Sequence, residues 1–295
     1  MVARRSRRAH QEGIEHPLAG DRRPIEGPEP AGMTVPAALP PIFVVSMARS
    51  VERRAHIAAQ LAAQSLAFEI HPAVDARDLS EKTIRELLGE VALQPQPFLG
   101  RRLTLGEIAC GLSHLQIYRR MQRDHLDDAV VLEDDVDLLP SFGSVLRALA
   151  AEPRFEMVLL GHHSARHGPY VGAETCLYRR IVHGEHRVAR VCEFAMGAYA
   201  YFVTTGAAAQ LARYAEPMRM PADWVTGYAP SSGVRQHAIT PPCVVPARRF
   251  CEASEIGSRD AAAAVGNRTT RRLGGRAFLA LRKLGFFPGL YSKGF

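Results

Sequence analysis

The stretch Ala129-Val130-Val131-Leu132-Glu133-Asp134-Asp135 decides the fold. Its four apolar residues do not alternate with polar ones, so the run reads as a strand buried on both faces, the kind that fills the middle of a parallel sheet. The run ends where three carboxylates begin. In an open α/β sheet, ligands collect at the carboxyl ends of the strands. Three adjacent carboxylates repel one another unless a cation or bound donors compensate. An oxygen-only set suits Mg2+ or Mn2+, which keep some waters and take further ligands from substrate phosphates. On spacing alone two readings stay open: a metal and nucleotide site, or a solvated acidic loop capping the next helix.

The flanking segments support an α/β reading. Ile42-Phe43-Val44-Val45, between Pro41 and Ser46, is a second buried run. Behind it, Val51, Ile57 and Leu61 lie on one helical face with Ser50 as N-cap, and Ala67 to His71 reads as the next strand, so the chain opens with a βαβ unit. A short helix is expected over 80–91, a Pro- and Arg-rich loop over 94–103 and a longer helix over 105–122. Downstream come a helix over 142–149, a strand over 156–160, a Gly- and His-rich loop over 161–175, a strand over 198–203 and a helix over 207–214. Residues 239–245 suggest a last edge strand, because Pro241 and Pro242 would spoil a central one.

The chain has 295 residues, 47% apolar and 23% charged, the composition of an ordinary globular protein with a sizeable core. Lys+Arg 37 against Asp+Glu 30 gives a net charge of +7. No acidic residue follows Asp260, while Arg268, Arg271, Arg272, Arg276, Arg282, Lys283 and Lys293 do, so residues 1–260 are formally neutral. That is a poor match to a folded surface gripping a phosphate backbone, and no nucleic acid is expected as partner. In the tail, leucines and phenylalanines accompany the cations. A helix over about 275–287 would carry an apolar face beside a basic one, which suits an anionic membrane surface; a docked or frayed basic tail is the rival reading.

Five cysteines without a C-x-x-C point to neither a disulfide framework nor a zinc ribbon, and a reducing compartment is the simpler reading. No apolar stretch reaches the roughly 18–20 residues of a membrane span. The organisation expected is a disordered arm over 1–40, with Met33 as an alternative start, an α/β domain over 41–260 and a basic amphipathic tail over 261–295. His162, His163 and His167 lack the partners of a zinc site and read as loop residues. Cys110 reads as a small core residue.

Several blocks stand in order: Val44-Val45-Ser46-Met47-Ala48-Arg49-Ser50 with Glu52-Arg53-Arg54; Leu105-Gly106-Glu107-Ile108-Ala109-Cys110-Gly111-Leu112-Ser113-His114; Val131 to Asp135; Gly197-Ala198-Tyr199; and Pro241-Pro242. In these the chain resembles glycosyltransferase family 25, the bacterial lipooligosaccharide galactosyltransferases and their relatives, over about residues 41–255. The resemblance implies a GT-A-like single domain with a mostly parallel, Rossmann-like sheet flanked by helices. It also implies a UDP-sugar donor, a divalent cation (Mn2+ or Mg2+) and inverting transfer of a hexose, most often galactose, to a lipopolysaccharide-type glycan or lipid-linked oligosaccharide. From the cysteine usage and the basic tail, a cytoplasmic location is expected, peripheral on the inner face of the membrane.

Carried onto this chain, Glu133 and Asp135 take the ends of a D-x-D-like element, with Asp135 the chief metal ligand and Asp134 between them. Ser46 stands where relatives usually carry Asn. Arg49 and Arg53 are placed to approach the donor diphosphate, or else form a solvated helix face. Glu107 and His114, two turns apart on one face, border the donor site with Ser113, or serve the structure alone. Asp223 matches an Asp of relatives and is the candidate base, with Trp224 as a sugar platform; an N-cap Asp beside a core Trp is the rival. The competing functions are a metal-dependent phosphodiesterase or nucleotidyltransferase, and a non-enzymatic glycan- or nucleic-acid-binding module.

Overall fold

The computed structural model describes residues 38–97, 99–151, 155–164, 171–227 and 229–251. The N-terminal arm before residue 38 and the basic tail beyond 251 lie outside the described residues.

The decisive stretch forms β3 (Asp128–Glu133), and its neighbours form in the expected order. β1 (Ile42–Ser46), α1 (Val51–Ala63) and β2 (Glu69–Pro72) are followed by α2 (Glu81–Leu88) and α3 (Leu105–Arg123). After β3 come β4 (Val136–Leu138), α4 (Phe142–Ala150), β5 (Met157–Leu159) and the short β6 (His163–Ser164). A hairpin of β7 (Thr175–His183) and β8 (His186–Val191) precedes β9 (Ala195–Met196), β10 (Ala200–Thr204), α5 (Thr205–Ala215) and α6 (Ala222–Gly227). The described chain closes with β11 (Gln236–Thr240), β12 (Val244–Pro246) and α7 (Arg248–Cys251).

Eight strands make one sheet in the order β2-β1-β3-β10-β5-β11-β8-β7. β1 is parallel to β2 and β3, and β5 to β11, while β10 and β8 run against their neighbours. All strands but β10 and β8 therefore point the same way, and the sheet is mostly parallel, flanked by helices. Alternation along β1 and β3 splits the core in two. Phe43, Val45, Ala129 and Val131 face α2, α3 and α5; Ile42, Val44, Val130 and Leu132 face α1 and α4. A continuous apolar run is what two covered faces demand. α3 starts on a capping box: Thr104 accepts from the Glu107 amide, and the Glu107 carboxylate accepts from that of Thr104.

Three local expectations change. Ser50 occupies the N-cap position of α1 without a side-chain cap bond. α2 stops at Leu88, and a 3-10 turn over Glu90–Leu93 replaces its last residues, because Gly89 takes φ +76° and breaks the helical course. The segment over 239–245 is not one edge strand. Its first part belongs to β11, which sits inside the sheet between β5 and β8; Pro241 and Pro242 follow that strand, and Val244 begins β12 on a separate ribbon with β4. The edge is closed instead by the β7–β8 hairpin, where Cys176 and Cys192 bring their buried sulfurs within 3.0 Å. Among the described residues no helix is long and apolar enough to cross a membrane.

Gly197 has φ +140°, and an added Cβ would meet Tyr199 Cε1 at 2.8 Å and the Gly161 carbonyl at 3.1 Å. Gly206, in the first turn of α5, has nothing within 4 Å of that position. Gly197→Ala is expected to lower stability by about 1–3 kcal/mol, whereas Gly206→Ala should raise it by about 0.5 kcal/mol or more. Urea unfolding of the two variants reads both signs.

Candidate active site

Register brings the first site residues together. Val45 of β1 lies opposite Glu133 of β3, so the next rung sets Ser46 beside Asp134. The buried Ser46 hydroxyl donates to Asp134 Oδ2 at 2.5 Å. Arg54 reaches back from α1 and donates to Ser46 Oγ at 3.1 Å and to its carbonyl at 2.9 Å. The Arg53 guanidinium lies 3.7 Å from Asp134 Oδ1 and 3.4 Å from Asp135 Oδ2. Arg49 instead pairs with Asp75, which also binds Arg77.

The carboxylates sit in different surroundings. Asp134 is buried and answered by Ser46 and Arg53. Asp135 keeps 33% of its side chain open. Desolvation, then the charges of Glu133 and Asp134, push it up to about 7 against the pull of Arg53. Glu133 turns toward α3: its Oε1 lies 3.3 Å from His114 Nε2 and accepts from Cys110 Sγ at 3.8 Å. The other ring nitrogen of His114 is 2.8 Å from the Tyr201 hydroxyl, which donates to Tyr118 at 3.0 Å.

Glu107 and Ser113 have structural partners. Arg101 clamps Glu107 through two bonds of 2.8 Å, and although burial opposes it, that clamp with the Thr104 amide holds its carboxyl below the usual range. Ser113 donates to the Ala109 carbonyl at 2.8 Å and accepts from the Val74 amide at 2.9 Å, tying α3 to the loop after β2.

An open cleft lies beside these carboxylates. Glu107, Cys110 and Glu133 from the α3 and β3 side line it together with Tyr199, His163 and Asp223. The cleft thus joins Glu133 to Asp223, 90 positions apart in sequence. Trp224 packs its ring edge-on against Phe194, with centroids 5.8 Å apart.

The sequence model of glycosyltransferase family 25 (LPS biosynthesis protein) matches residues 39–226, which span both β1 and α6. The chain belongs to glycosyltransferase family 25. A glycosyltransferase 25 family member of Anopheles gambiae is 33% identical over 38% of this chain and 19% of its own length. A probable inactive glycosyltransferase 25 family member 3 of Rattus norvegicus is 36% identical over 37% and 19%. The chain spans about a fifth of the length of these curated relatives. Among solved structures, A197 from STIV is similar with a TM-score of 0.36 at 14% identity, covering 68% of this chain and 81% of that one.

Sequence reasoning about this family 25 chain read Cys110 as a small core residue and His163 as a loop residue, and passed over Tyr201; Cys110 and His163 both line the cleft. Cys110 stands four residues before His114, one turn away on the same helix, and that spacing was the available signal. His163 stacks on Tyr199 with ring centroids 6.1 Å apart. His162 serves the fold: it is buried, lies 2.8 Å from the Ile239 carbonyl through Nε2, and accepts the Ala173 amide at 3.0 Å through Nδ1. Only a neutral ring with its proton on Nε2 satisfies both. His167 lies outside the described residues.

Burial lowers the His162 pKa to about 4 from an ordinary 6.5. Between those values the unfolded chain binds the proton and the folded one does not, so stability falls as pH drops from about 6.5 toward 4. The loss attributable to this ring is about 3 kcal/mol at the acid end. His162→Gln, which has no titrating ring, should flatten that part of the profile in denaturant titrations from pH 7 to 4.

Proposed function

We propose that this chain is an inverting glycosyltransferase that moves a hexose, galactose in the first instance, from a UDP-sugar to a lipopolysaccharide-type glycan. The observation that carries the reading is that Glu133, the first carboxylate of the Glu133–Asp135 turn at the carboxyl end of β3, lines a cleft that also holds Asp223.

The donor set suits a hard cation. Glu133 and Asp135 offer only oxygen, and burial first, then the neighbouring charge of Glu133, raises the Asp135 carboxyl against the pull of Arg53. Mn2+ or Mg2+ held by Asp135 and Glu133 would supply positive charge for the departing diphosphate. The remaining roles fall to the chain itself. Arg53 adds positive charge on the acidic side, and Ser46 and Arg54 fix Asp134 so that its neighbours keep their places. Asp223 accepts the acceptor hydroxyl's proton while that oxygen bonds to the anomeric carbon, and the bond to the diphosphate breaks with its electron pair leaving on UDP.

Several relatives are named inactive, in rat, cattle, mouse and human, which favours binding without turnover as the second reading. Full-length protein offered UDP-galactose, Mn2+ and acceptor glycans decides between them. Transfer is expected, with Asp135→Ala and Asp223→Asn each lowering kcat/KM by about 100-fold or more. UDP binding without transfer supports the second reading, and unchanged activity in Asp135→Ala removes the metal assignment.

The acceptor side is placed by the same proposal at an anionic cytoplasmic leaflet, because seven cations and interleaved apolar residues follow Asp260. Deleting residues 265–295 should abolish sedimentation with phosphatidylserine vesicles and leave turnover of a soluble acceptor intact. Equal sedimentation of both proteins would sink the membrane assignment.

A further inference from the structure

Beside the acidic turn, three chemically different donors converge. Cys110 and His114 stand one turn apart on α3, and Glu133 meets both from the end of β3. The sulfur, the His114 Nε2 and the Glu133 Oε1 lie within 4.8 Å of one another. The nitrogen–oxygen separation is 3.3 Å and the sulfur–oxygen separation 3.8 Å. Ligands bound tetrahedrally to Zn2+ at about 2.0–2.3 Å stand about 3.3–3.5 Å from each other, so these atoms already approximate edges of such a polyhedron.

The far side of the ring is held as well: His114 Nδ1 lies 2.8 Å from the Tyr201 hydroxyl, which is itself 3.0 Å from that of Tyr118, while Nε2 faces the Glu133 carboxylate oxygen at 3.3 Å. Anchoring of the remote ring nitrogen by a hydrogen bond is also how metal-ligating histidines are held. Cys110 and Glu133 both line the cleft, which leaves a further coordination position open to it.

We propose that Cys110, His114 and Glu133 form a site for a borderline-soft divalent cation of the Zn2+ class, with its open position facing the cleft. Sulfur and imidazole favour such an ion over Mg2+ or Mn2+, which the oxygen-only Asp135 side suits. Binding converts the Cys110 thiol to a zinc thiolate and releases its proton to solvent, with no change of oxidation state. The site does not depend on glycosyl transfer, although it shares Glu133 with the proposed hard-cation site.

The test uses the full chain stripped of metal by a chelator and titrated with Zn2+ alone against a chromophoric chelator, and with Co2+ as a spectroscopic substitute. About one Zn2+ per chain and a thiolate-to-cobalt charge-transfer band are expected. Cys110→Ser should abolish the band and weaken Zn2+ at least about tenfold, while Asp135→Asn keeps both. In the unsubstituted chain, Zn2+ but not Mn2+ should protect Cys110 from iodoacetamide, read by peptide mass spectrometry, so the answer does not rest on how a variant folds. Absence of stoichiometric binding, a band that persists in Cys110→Ser, or alkylation of Cys110 indifferent to Zn2+ overturns the proposal. Loss of Zn2+ in Asp135→Asn with retention in Cys110→Ser also overturns it, by assigning the ion to the acidic turn. Loss of sugar transfer with Zn2+ binding intact bears only on the proposed function.

Discussion

Negative charge crowded at the end of a strand with no wet face is the constraint from which the rest of this structure follows. Ala129 to Leu132 are fully enclosed, so β3 cannot rotate or slide to spread its carboxylates into solvent. Each charge has to be answered where it emerges, and each is answered by a different element. β1 brings the Ser46 hydroxyl and α1 brings Arg53 to Asp134, and α3 brings His114 and Cys110 to Glu133. Asp135 shares Arg53 with Asp134, and burial together with the charge of Glu133 raises its carboxyl. A fold under selection for stability alone would relieve such a cluster with one neutral residue; strain concentrated at a cleft is a mark of function.

What was legible in the sequence was what burial writes into it. β1 and β3 announced themselves because two covered faces require unbroken apolar runs, and α3 because its apolar positions recur at helical spacing. The β7–β8 hairpin was not legible. Its strands mix Arg and His with apolar residues, as an edge hairpin does, and such a segment reads as loop until a neighbour is supplied. β11 was misplaced for a related reason. A proline excludes a central strand only where it falls within the ladder, and Pro241 falls one residue beyond it.

The candidate site was legible to the same degree. The acidic turn is local in sequence, and its position at a strand end follows from the strand. The choice of partner is not local. Glu107 and His114 lie on one face of α3, as their spacing of seven requires, yet one is consumed by Arg101 and the helix cap while the other enters a buried chain of tyrosines. Arg49 and Arg53 stand one turn apart along the chain, but a single carboxylate on the loop after β2 takes Arg49 out of the site. Periodicity states which way a side chain points; only the fold states what it finds there.

Ser46 shows how one residue type settles this geometry. The family resemblance implies Asn at this position of the first block, a longer side chain than Ser. Here the hydroxyl is both donor, to Asp134, and acceptor, from Arg54, at a depth where only 2% of the residue is exposed. A buried group so engaged is not free to contact a sugar nucleotide without abandoning two charged partners, a loss of about 1–3 kcal/mol for each group left unsatisfied. Under the proposed function, recognition of the donor would fall instead to Asp135, a third of whose side chain is open, to Arg53 beside it and to the cleft wall around Glu133. Glu133 belongs to both proposed cation sites, so under these proposals donor recognition and metal occupancy would draw on one small set of charges rather than on separate devices.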